Sequence, residues 1–100
     1  MTGPSTAALP ARQRNLLFLR HPRLWPLWPF LPLVRRRPGA DEEQGVLYDT
    51  LHALGRPGYS ATVFLTNLFT LPPSVEQFLA LPHESYDTAE EVYDADWRVD

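Results

Sequence analysis

The chain has 100 residues, of which 44% are hydrophobic and 12% aromatic, with eleven prolines, no cysteine and a formal net charge of -3. That length holds one domain with one modest core, and the absence of cysteine excludes disulfides, thiolate metal sites and cysteine nucleophiles while leaning towards a cytoplasmic setting. The charge is divided unevenly: residues 1–40 carry seven arginines and no acid, +7, and residues 41–100 carry twelve acids and two arginines, -10. Such polarity favours a basic arm lying against an acidic body, or head-to-tail association of chains.

Residues 1–12 are small, polar and proline-punctuated and read as a flexible leader; residues 13–100 form the single globular domain. Residues 13–21 form a short helix or strand, closed by His21-Pro22. No apolar stretch reaches the roughly twenty residues needed to cross a bilayer.

Leu24 to Arg37 is an extended arm. Pro26, Pro29 and Pro32 recur every third residue, which removes backbone donors at a spacing that forbids a helix and matches the turn of polyproline II. Residues 30–37 also suit an edge strand, since proline is tolerated at sheet edges. Trp25, Trp28 and Phe30 carry enough apolar area to demand burial at about 25 cal/mol per Å², either against the chain's own body or against a partner. With Arg35, Arg36 and Arg37 they are the candidate partner-binding residues.

Beyond the Pro38-Gly39 turn and the acids Asp41 to Glu43, residues 45–54 admit two readings. Helical spacing of Leu47, Leu51 and Leu54, with Gly55 as the closing residue, favours a helix. A hairpin over about 45–69, turning at Gly55 to Gly58, instead places Val46, Tyr48, Thr50, His52 and Leu54 on one face with Tyr59, Ala61, Val63 and Leu65. The hairpin is adopted here because Tyr59 to Phe69 is rich in β-branched and aromatic residues. Two short helices follow, over about 74–81 and 88–96. Ser74 with Gln77 and Thr88 with Glu91 are capping boxes, and Ala89, Val92, Tyr93 and Trp97 share the second helix's buried stripe. The fold class expected is therefore α+β: a small antiparallel sheet, two C-terminal helices and a Pro/Trp-rich arm.

Motifs for chemistry are sparse. His21, His52 and His83 lack the close spacing of a metal site, and no cofactor, metal or small-molecule substrate is indicated. Asp49, His52 and Ser60 can be drawn as a hydrolytic triad, but no nucleophile elbow frames the serine and the hairpin would turn Ser60 and His52 to opposite faces. No catalytic residue is assigned. The expectation is a non-enzymatic interaction module or assembly subunit docking a protein partner, or itself, through the arm. The alternative is an anionic surface, a membrane interface or single-stranded nucleic acid, met by arginines interleaved with aromatic platforms. A small hydrolase using His52 is a remote third.

Overall fold

A computed structural model describes residues 10–100. The leader expected over residues 1–12 lies mostly outside the described residues; Ala11 and Arg12 of it open the first helix. The molecule is an α+β domain built on a five-stranded antiparallel sheet with several short helices.

Helix α1 (Ala11–Arg20) is made of good helix formers and stops where proline at position 22 forbids continuation, with the His21 N–H turned back to the Phe18 carbonyl at 3.2 Å. The arm is then split. Pro22–Leu24 is a 3₁₀ turn, Trp25 to Pro29 continues turning, and only Phe30–Arg35 extends, as strand β1. Strand β2 (Glu43–Tyr48) returns beside it, with Leu33 opposite Gly45 and Arg35 opposite Glu43. Then come α2 (Thr50–Leu54), β3 (Thr62–Phe64), α3 (Val75–Leu79), β4 (His83–Ser85), α4 (Ala89–Asp94) and β5 (Trp97–Val99).

The sheet order is β4-β3-β2-β1-β5, which moves the expected edge strand of about 30–37 into the interior. Pro32 is tolerated there for a local reason. Its carbonyl accepts the Asp100 N–H at 3.1 Å, so its polar edge faces the β5 flank, just past the last ladder pair, Leu33 with Val99. The missing N–H therefore removes no bond to β2.

The expected hairpin over about 45–69 also takes another form. Its strands do pair antiparallel, but Val46 lies opposite Phe64, three positions from the register that a Gly55–Gly58 turn would impose. Helix α2 consumes residues 50–54, so both readings of that segment hold in part: a strand to Tyr48, then a short helix closed by Gly55 at φ 68°. An odd shift exchanges faces. Val63 and Ala61 accordingly pack with Leu47, whereas Val46 and Tyr48 pack with Phe64.

Two cores result. On one face α1 and α4 cover the sheet, and Leu16, Leu19, Trp25, Leu31, Leu33 and Trp97 are buried together. On the other, Phe30, Tyr48, Phe64 and Phe78 stack around α3, with Phe64 and Phe78 ring centres 4.7 Å apart. Both C-terminal helices start at their expected caps: Ser74 accepts the Gln77 N–H and Thr88 the Glu91 N–H, each at 3.2 Å. Trp97 departs from the expected helical stripe, because Asp96 at φ 73° ends the turn after α4 and sends the chain into β5.

In that strand Trp97 is fully buried and lies across the sheet. A Cβ on Gly45 would stand 3.0 Å from its ring and 2.5 Å from Val63 Cγ1, which explains glycine inside a strand. Its indole N–H reaches Glu84 on β4 at 3.2 Å. Four interstrand steps in a flat sheet would separate β4 from β5 by about 19 Å, so the sheet is rolled towards this face.

Candidate functional site

The arm's candidate residues do not gather at one place. Trp25 is core, its indole N–H given to the Phe18 carbonyl at 2.7 Å. Phe30 is half-buried against Tyr48, centroids 4.7 Å apart. Arg35 is buried, its side chain only 6% exposed, beneath an acid pair. It forms a two-pronged bridge to Glu84 with both contacts at 2.9 Å, bonds Glu43, and stacks its guanidinium 4.3 Å above the Trp97 ring. The paired bonds from Arg35 hold the Glu84 carboxyl down to about 2 against the opposing pull of burial, with Tyr86 and Trp97 helping as donors. Arg36 pairs with Glu42 at 2.7 Å and Arg37 with Glu43 at 2.8 Å on the surface.

Trp28 alone of the three arm aromatics stays largely open, 48% exposed. It is nevertheless fixed. Its indole N–H donates to Asp49 Oδ2 at 2.8 Å, and Asp49 caps α2, taking the His52 backbone N–H as well. The His52 ring completes the group through Nδ1, 2.9 Å from the same oxygen. A carboxylate accepts only, so Nδ1 carries hydrogen and Nε2 is left outward. The Asp49 side chain is 5% exposed and that of His52 65%, so a buried anchor orients an open imidazole.

Around these three side chains runs a groove in two lobes that share Arg20, Pro22, Asp49 and His52. The outer lobe reaches Arg23 and Trp28; the inner one, about 500 Å³, reaches Tyr48, Tyr59 and Ser60. Ser60 and His52 thus line the same groove, the helix having removed the strand geometry that would separate them; among the described residues His52 is hydrogen-bonded through its ring only to Asp49. No cluster of three metal-ligating side chains occurs among the described residues, and no helix there is long and apolar enough to cross a membrane.

Leu24 and Leu27, half-exposed on either side of Pro26, and Phe69, 97% exposed on the loop after β3, are exposed apolar side chains that sequence reasoning missed. Leu24 and Leu27 resemble core residues until the proline turns lift them away from β1. The Asp49–His52 pair had a usable signal: aspartate three residues before a histidine at a helix start is a capping pattern. Searches against protein families, curated proteins and solved structures find no match for this chain.

Proposed function

We propose that the chain is a small non-enzymatic interaction module that docks a protein partner through Leu24, Leu27 and Trp28, with Arg23 at their margin. The observation that carries it is a tryptophan 48% exposed yet tied at 2.8 Å to a buried carboxylate. Binding energy concentrates in such residues, and an indole already fixed in place loses little freedom on association. The neighbouring leucines supply the apolar surround.

The arginines support this reading over an anionic surface. Arg20, Arg35, Arg36 and Arg37 each form an ion pair within the chain, to Glu90, Glu43 and Glu84, Glu42 and Glu43, and among the described residues Arg23 is the member of the arm's set outside such a pair. Arginines balanced by neighbouring acids give little net attraction to an extended anionic surface such as a lipid layer or a nucleic-acid backbone. The non-enzymatic part rests on Asp49 and His52, whose contacts are those of a helix cap and its brace. A cysteine-free composition supports a cytoplasmic setting.

A photo-crosslinking residue at position 27, introduced in cells producing the chain, tests the proposal. A discrete adduct at position 27, missing when the same probe is at Gln13 and lost on Trp28→Ala, is the expected result. Equal labelling from both positions would refute docking at this corner.

A further inference from the structure

The groove carries an inference beyond docking. Its lining holds Arg20, Arg23 and Arg56 with His21 and His52, against only Asp49 and Asp87, in a chain whose net charge is -3. Of those two acids, Asp49 is turned inward and its oxygens are occupied by Trp28 and His52. Glu90 and Glu76, which stand outside the lining, balance the charge of Arg20 and Arg56, so the groove holds no net positive charge. Each of these two arginines uses only Nη2 in its pair, which leaves its other guanidinium N–H groups as donors at the groove.

Its floor is apolar and flat-sided. Trp25, Tyr48 and Tyr59 contribute to it, and Trp25 and Tyr48 are themselves buried, so the floor is held by the packing of both cores. The inner lobe of about 500 Å³ falls within the roughly 300–1,000 Å³ of small-molecule sites. Four separate chain segments build it, around residues 19–25, 48–52, 56–61 and 87–89. Among its lining groups are two guanidinium donors anchored by outside acids and the Ser60 hydroxyl, beside the outward nitrogen of an imidazole oriented by a buried carboxylate. Guanidinium forks match the oxygens of a phosphate, and aromatic walls accept a ring.

We propose that this groove binds a small ring-bearing phosphate, an aryl or nucleoside monophosphate, with the ring on Trp25, Tyr48 and Tyr59 and the phosphate at Arg20 and Arg56. This site uses residues other than the docking leucines, so failure of one proposal leaves the other standing.

The test is calorimetric titration of the full chain with phenyl phosphate, adenosine monophosphate and inorganic phosphate, together with amide-shift mapping. Saturable binding of one ring-bearing phosphate is expected, mapped to residues 52–61. Arg56→Gln and Arg20→Gln should each weaken it about tenfold, the loss of one charge-assisted contact, with near-UV dichroism unchanged. Absence of saturation up to about 10 mM, weaker than any specific small-ligand site, would overturn the proposal. So would affinity untouched by both substitutions, and so would inorganic phosphate binding as tightly as either ring-bearing probe, because the aromatic floor would then contribute nothing.

Discussion

Two tryptophans in this molecule make the same chemical arrangement and end in opposite states. Trp97 gives its indole N–H to Glu84, which also holds the cation Arg35; Trp28 gives its own to Asp49, which also holds His52. The first trio is roofed by α1 and α4, with its indole fully buried and its arginine side chain 6% exposed. The second lies at a groove, with the indole half out and the imidazole more so. Burial, more than the identity of the partners, decides which trio braces the sheet and which remains able to meet another molecule.

Substitutions that remove the cation from the buried trio and the carboxylate from the open one should separate them widely. Arg35→Ala leaves Glu84 and Glu43 facing each other without their shared cation and strips the Trp97 ring of its stacked partner. Because both glutamates keep about a third of their side-chain exposure, 30% and 35%, water can reach them, and the loss should sit near the lower end for broken buried pairs, about 3 kcal/mol by urea unfolding. A loss below about 1 kcal/mol, the range of exposed pairs, would erase the distinction between the trios.

Acid gives a second, smaller separation. The Glu84 carboxyl is held at about 2 in the folded protein, below its ordinary value near 4.5, chiefly by Arg35. A depressed carboxyl binds its proton more readily in the unfolded chain, so its stabilisation is complete above about pH 4.5 and disappears as pH falls towards 2. Stability measured from pH 6 to pH 2 should fall steeply over that window in the wild type and less steeply in Glu84→Gln. Glu43 and Glu90 are lowered as well, by Arg35 with Arg37 and by the helix start with Arg20, so the variant keeps some slope. Parallel curves for the two proteins would mean that the buried trio does not govern acid sensitivity.

At the open trio, Asp49→Ala removes the cap of α2 and the anchor of Trp28. The expected cost is about 1 kcal/mol, that of an N-cap, since the indole and imidazole it releases can turn to water. Iodide quenching of tryptophan emission should rise, because Trp28 is the half-exposed indole. A cost exceeding that of Arg35→Ala would invert the comparison.

How far these arrangements were legible follows from how local their causes are. Ser74, Thr88 and Gly55 announce helix ends because a cap is a matter of three or four neighbouring residues. The interior place of β1 is hidden, since Pro32 suggests an edge and only the position of Asp100 across the strand makes the proline harmless. The register of β2 and β3 is hidden because Gly55 to Gly58 resembles a hairpin turn although Gly55 closes a helix. Arg35, Arg36 and Arg37 read alike in sequence. Only the alternation of β1 and the convergence of four strands put the first beneath Trp97 and the other two at the surface. Trp25 and Trp28, three residues apart, likewise owe their different exposure to the turn between them.

Trp97 also orders events during synthesis. Arg35, Glu43 and Glu84 leave the ribosome before it, and until residue 97 is made the sheet has neither its fifth strand nor the ring that joins β5 to β4. A nascent chain paused within α4 therefore presents the Leu31, Leu33 and Val63 face without the ring that covers Gly45, and completion waits for a contact between residues more than sixty positions apart in sequence. Chaperones that recognise exposed apolar strands would find that face on the paused chain and lose it once β5 is laid down.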